Sequence, residues 1–220
     1  APRYGDPGAV VRWGLPYAKL LVNLAVAVTI GALTLVCFAL SPDEPEHDRA
    51  MDVAAAAAGA WTVAAAAESV FVFSSVYGSV PSLDPSFGNG LGTFLSQTSL
   101  GQAWLIMALA GALLTIVCFA LRNRTALLIV LAATTLPLLR LSSEGHTGDS
   151  ATHDQAMIAL WLHIGAAAVW IGGLATIIVL RPRLSLARLS TLLHRYSTLA
   201  LMCFVVVAVS GYISAQIRVG

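Results

Sequence analysis

Charge is the scarcest ingredient of this 220-residue chain. Lys and Arg number 12 and Asp and Glu 11, together 10% of residues, against roughly 25% in an average soluble domain. With 58% hydrophobic residues and a mean hydropathy of +0.82, this excludes an ordinary water-soluble domain and points to a membrane protein. The net charge of +1 comes without any block of like charge, so nothing in the composition asks for a nucleic-acid partner. Cysteine is also rare. Cys37, Cys118 and Cys203 each lie inside an apolar run, where a small buried hydrophobe is expected rather than a disulfide. A phosphate-binding Gly-Lys-Ser/Thr loop and a catalytic triad are both missing, so an enzyme of the hydrolytic or nucleotide-using kind is not expected. The opening "APRYGDPGAV" has neither an initiating Met nor a basic-then-apolar signal, and a processed or trimmed end is expected there. The close, "SGYISAQIRVG", stops just after an apolar run, as a fragment of a longer chain would.

What the chain does have is long apolar stretches. A bilayer core of about 30 Å needs roughly 20 apolar residues at about 1.5 Å each. Six segments approach that length, near 15–40, 53–76, 100–121, 125–141, 156–180 and 196–217. The expected fold is therefore all-α, a single polytopic helical bundle of about six transmembrane helices over residues 1–220. The fourth span is the shortest and the second is Ala-rich, so both need burial against neighbours more than contact with lipid. Six spans put both termini on one side. Placing the basic connection "RPRLSLARLSTLLHR" inside gathers Arg49, Arg122, Arg124, Arg181, Arg183, Arg188 and Arg195 there, seven basic residues against five outside. The 77–99 connection and the 142–155 loop then face outward, and the first is long enough for a lid or docking surface.

Inside the spans, ionisable and soft groups are functional candidates by default, because hydrocarbon penalises them by several kcal/mol. Asn23, Glu68, Met107, Thr134 and Thr135, His163 and Ser210 fall at comparable depth, roughly 10–12 Å below the outer surface at about 1.5 Å per residue. Thr152 and Gln155 match a capping box, with Asp154 suiting the helix dipole, so the fifth span should start near His153. His153 and Met157 then share a helix face, while His163 lies about 15 Å deeper. Ala156, Leu160, His163, Ala167, Trp170 and Leu174 form a stripe at helical spacing that should face the bundle interior. Imidazole and thioether are donors that Cu(I) accepts well, and a carboxylate can balance its charge. The metal candidates are thus His163, Glu68 and Met107 in the layer, with His146, His153 and Met157 as an outer capture point. A structural alternative is that His163 and Glu68 only hydrogen-bond neighbouring helices.

Two features point toward the inner side. "GALTLVCFAL" (31–40) nearly recurs as "GALLTIVCFAL" (111–121), which puts Cys37 and Cys118 at similar depth. A relay of soft thiol ligands is conceivable there. His47 and Met51, in "PDEPEHDRAM", repeat the four-residue His/Met spacing, but an acidic loop of this kind reads as a solvated face.

The stretch "GHTGDSATHDQAMIALWLHIGAAAVWIGGLATIIVLRPRL", followed by "HRYSTLALMCFVVVAVSGY", resembles the copper-resistance D (CopD) family. The matching elements are Gly145-His146, Leu162-His163, Trp170, Gly172-Gly173-Leu174, Arg195 and Ser210-Gly211. Upstream, "GDPGAVVRWGLP" and "DPSFGNGLGTFLSQTSLGQAWL" resemble the actinobacterial form, in which the CopD part is fused to a cytochrome c oxidase assembly domain of the CtaG type. The resemblance implies a multi-pass protein of the bacterial cytoplasmic membrane that handles copper ion. It would take copper inward or pass it to oxidase assembly, with an extracytoplasmic copper-binding protein and the assembly machinery as partners. Met-rich and paired-Cys motifs are absent from the chain. Two other readings stand beside this one. The first is a haem-binding membrane bundle with His163 as axial ligand, although no second imidazole sits in another span at that depth. The second is a non-catalytic assembly subunit that docks partners through its outward loops.

Overall fold

Apolar runs in a membrane must satisfy every backbone N–H and C=O internally, which leaves the helix as the local solution. The computed structural model describes residues 8–137 and 150–219, apart from the side chains of 150–154 and 218–219. Among the described residues there are no strands. The helices are α1 (Gly8–Phe38), α2 (Pro45–Tyr77), α3 (Pro85–Gln97), α4 (Ser99–Ala120), α5 (Arg124–Thr134), α6 (Ser150–Leu180) and α7 (Leu186–Val219), with a short 3-10 turn at Arg181–Arg183. Five of them, α1, α2, α4, α6 and α7, are long and apolar enough to cross a membrane. The chain is an all-α, multi-pass membrane bundle.

The fourth expected span, 125–141, lies only partly within the described residues. Its α5 has 11 residues, about 16 Å of helix, too little to cross alone, and helix is resumed at residues 136–137. Pro137 has no N–H to donate and its ring clashes with the carbonyl four residues back, so the ladder of α5 is interrupted before it. The helix tightens at Thr135, whose N–H bonds the Ala132 carbonyl at 3.2 Å. The Thr135 carbonyl is taken from the side by Trp161 Nε1 of α6 at 3.0 Å, so α5 ends against α6. A second difference is α3, a helix within the 77–99 connection. Gly78, at φ 64°, caps α2 in the left-handed conformation that glycine adopts without strain. Asp84 and Pro85 then start α3. Phe87 and Phe94 pack against Phe73 with ring centroids 5.2 and 5.7 Å apart, pinning α3 to the end of α2.

α1 is the centre. It packs along α2 on one side and α6 on the other, α4 lies on the far side of α2, and α7 lies on α6. The α1/α6 contact is backbone to backbone. A Cβ added to Gly172 would stand 1.7 Å from the Ala27 carbonyl oxygen, and one added to Gly31 would stand 2.1 Å from the Gly172–Gly173 backbone. Only glycine allows this approach, the small-residue packing that membrane helices use in place of a hydrophobic driving force.

One end of the bundle carries the arginines. Arg188 Nη1 reaches both carboxylate oxygens of Glu46, at 2.7 and 2.8 Å, tying the start of α7 to the start of α2. Arg122 Nε lies 3.5 Å from Asp48, and its Nη1 donates to the Cys118 carbonyl at 2.6 Å. Arg195 Nη1 donates to the Ala39 carbonyl at 2.8 Å, closing the end of α1. The grouping of basic residues expected from the positive-inside count is therefore a real end of the molecule.

Candidate functional site

The helix register decides which members of the polar layer meet. Gly111 of α4 lies against Thr62 and Ala58 of α2. The two helices run antiparallel, so this contact brings Met107 and Trp104 to within about one turn of Glu68. All three side chains are buried: Glu68 is 1% exposed, Met107 1% and Trp104 6%. Trp61, two turns from Glu68 on α2, is fully buried in the same apolar cluster as Trp104 and Met107.

The polar atoms here are unsatisfied. Glu68 Oε2, Trp61 Nε1 and Trp104 Nε1 are buried without a hydrogen-bond partner among the described residues. A buried carboxylate oxygen without a donor and two indole N–H groups without an acceptor each cost on the order of 1–3 kcal/mol unless water or a ligand satisfies them. The charged group whose field reaches Glu68 is Lys19 of α1, an exposed side chain. The packed α2/α4 region thus holds an acidic oxygen and a thioether at similar depth among apolar side chains.

His163 stands elsewhere. It is half-buried on α6 and faces α7, with Nδ1 3.2 Å from Ser210 Oγ. The Ser210 hydroxyl donates to the Val206 carbonyl at 2.6 Å. Its oxygen is then placed to accept from His163 Nδ1 when that nitrogen carries the proton, the arrangement in which a second group orients an imidazole for ligation. The buried stripe of α6 is not the expected one. Ala168, Gly172 and Thr176 turn to the interior, while Trp170 and Leu174 are exposed at 36% and 45%. Close approach of α1 at Gly172 rotates the helix so that the small residues, not the His/Trp row, meet the core. Trp170 instead makes an edge contact with Phe204, and its carbonyl accepts the Tyr196 hydroxyl.

Of the remaining candidates, Asn23 is exposed and Thr134 and Ser210 are buried, both bonded to carbonyls of their own helices. Met157 is half-buried. His146 lies outside the described residues, and so do the side chains of His153 and of the capping pair's Thr152. α6 itself starts at Ser150, three residues before the expected position. Among the described residues no three of His, Cys, Asp and Glu come together as a metal-binding group. Any site here must count the thioether or span helices with few ligands.

The solvated reading of the α1/α2 connection holds for Pro42, Asp43, Pro45 and Asp48, which are exposed, but not for the residues next to them in α2. His47 is 4% exposed and Met51 0%, and Glu46 is buried beside them. The four-residue spacing turns them to one side of α2, and the Glu46–Arg188 pair satisfies the carboxylate that would otherwise hold this turn in water.

Comparison with curated proteins and with solved structures finds no match. The family model for the copper resistance protein D-like, N-terminal domain matches residues 10–156. The matched stretch takes in α1 to α5, including Glu68 and Met107, and ends as α6 begins, before His163. It covers more than half of the chain, which therefore belongs to the copper resistance protein D-like family.

Proposed function

We propose that this protein takes copper across the bacterial cytoplasmic membrane or delivers it to cytochrome c oxidase assembly, acting as a carrier rather than an enzyme. The observation that carries the reading is the buried Glu68 oxygen without a hydrogen-bond partner, at a depth similar to that of buried Met107, on helices within the family match. Cu(I) favours thioether and imidazole donors, and the Glu68 carboxylate would neutralise its charge in an apolar wall. The free Nε2 of His163 is a second point of capture, on the α6/α7 side. His146, His153 and Met157 supply entry from the outer loop, where an extracytoplasmic copper-binding protein would hand over its ion. The oxidase-assembly arm rests on the upstream elements that resemble the actinobacterial fusion.

The test is copper and iron analysis of purified protein, together with copper-dependent accumulation in cells, for wild type, Glu68→Gln, His163→Ala and Cys203→Ser. The reading expects copper in the wild type and lowered accumulation in the first two variants only. Iron in place of copper moves haem ahead of it. Neither metal, with equal accumulation in all four, sinks it.

A further inference from the structure

Charge is unevenly matched at the Arg-rich end. From residue 155 to residue 220 the chain has no Asp or Glu, yet it places Arg181, Arg183, Arg188 and Arg195 in and just after the α6/α7 connection. Only Arg188 meets a carboxylate there, that of Glu46. Arg195 gives an N–H to the Ala39 carbonyl at 2.8 Å and has no ion pair among the described residues. Arg181 and Arg183, in the 3-10 turn, are exposed, and their side chains have neither ion pair nor hydrogen bond among the described residues. Arg188 and Arg195 line one cleft with Leu184, Thr191, Glu44 and Glu46. Glu46 is taken by Arg188, and Glu44 accepts the Ser41 N–H at 2.9 Å. Three guanidinium groups are left without a counter-charge.

These charges stand where α6 ends and α7 begins, beside apolar side chains turned outward. Ile178, Val179, Leu186 and Leu193 are exposed, each within one helical turn of an arginine along the chain. α7 packs on α6, and its most apolar stretch is only 6% buried, so lipid is its main neighbour. A basic surface between helix ends, with apolar faces next to it, is the chemistry that recognises an anionic lipid headgroup. The planar fork of arginine takes phosphate oxygens in pairs, where lysine offers a point charge. A soluble acidic protein would match the charge but not the apolar faces. We propose that the α6/α7 connection binds an anionic phospholipid, its phosphate held by Arg181, Arg183 and Arg195 and its acyl chains lying along the exposed faces of α6 and α7. The lipid fastens to the bundle the span whose apolar stretch is least buried by protein. None of the copper ligands takes part.

The experiment reconstitutes the full chain in vesicles of equal parts phosphatidylcholine and phosphatidylglycerol, extracts it in mild detergent and counts the lipids retained per chain by native mass spectrometry. The variants are Arg181→Gln/Arg183→Gln, Arg181→Lys/Arg183→Lys, Arg195→Gln and, on α1 away from this end, Lys19→Gln. Wild type and Lys19→Gln should retain phosphatidylglycerol over phosphatidylcholine. Each neutralised arginine should cut that preference about fivefold, the scale for one basic residue near an anionic membrane surface, and the paired lysine change should keep most of it. Since Arg181 and Arg183 bond nothing in the fold, the paired glutamine variant should unfold at the wild-type midpoint in pure phosphatidylcholine, which separates a lost preference from a lost fold; Arg195→Gln repeats the test from α7. Equal retention of the two lipids by wild type overturns the proposal, and so does an unchanged preference in the paired glutamine variant or its loss in Lys19→Gln. Displacement of phosphatidylglycerol by inorganic phosphate also overturns it, because a free anion would then satisfy the site.

Discussion

At the Arg-rich end, Glu46 is 4% exposed and both of its oxygens meet Arg188. Farther along the same helix, Glu68 is 1% exposed and one of its oxygens meets nothing among the described residues. The two carboxylates are equally buried and differ in satisfaction. Glu46 sits where a helix end meets the aqueous face and an arginine can reach it, so its burial reads as an anchor. Glu68 sits about six turns along the helix, toward its other end, and an acid kept there against its desolvation cost reads as a binding group. The histidines divide along other lines: His163 is half-buried beside Ser210, while His47 is buried with its Nδ1 3.8 Å from the Asp48 carboxylate.

The change that breaks both ends at once is Gly172→Val. Its side chain has no room against Ala27, and overpacking of a backbone contact should cost about 3 kcal/mol or more. Thermal unfolding in detergent should show the midpoint collapse, or no monodisperse protein at all. Next comes the anchor. Glu46→Ala and Arg188→Ala should each lower the unfolding midpoint, and the double variant should fall well short of the sum because either change removes the same pair; additive losses would mean the pair does not hold the end. Glu68→Gln, by contrast, keeps volume and removes the acid, so the midpoint should stay or rise while copper binding falls. A clear loss of stability would make Glu68 an anchor too and erase the distinction.

Ser210→Ala sharpens the comparison from the histidine side. Removing the acceptor that sets the His163 tautomer should weaken copper binding about tenfold with little change in unfolding. The smallest effect is expected from Trp161→Phe, which takes the indole hydrogen bond from the Thr135 carbonyl and should cost about 1 kcal/mol. Copper binding should be unaffected.

Much of the fold was legible in the sequence because its signals are local. Run length found α1, α2, α4, α6 and α7, and Pro137 was present to be read as an interruption of the helix ladder after α5. The α3 helix was hidden by its three glycines and two serines, which read as loop until Phe87 and Phe94 are seen against Phe73. Of the site, the depth of Glu68, Met107 and His163 was countable along each helix, but depth is one coordinate of three. The face each residue turns depends on the close approach at Gly172, a pairing no local pattern announces.

The sequence by itself determined that the chain crosses a membrane as helices, since apolar runs of that length leave the backbone no other way to bond. Only the tertiary structure decided which helix is central. In α1, 72% of the most apolar stretch is buried against protein, in α7 only 6%, yet both read as ordinary spans. Lipid tails are as apolar as side chains, so hydropathy cannot tell a helix that faces lipid from one that faces its neighbours. The same blindness hid His47 and Met51, whose burial comes from α1, α4 and an arginine on α7 closing over a turn that looks polar in isolation.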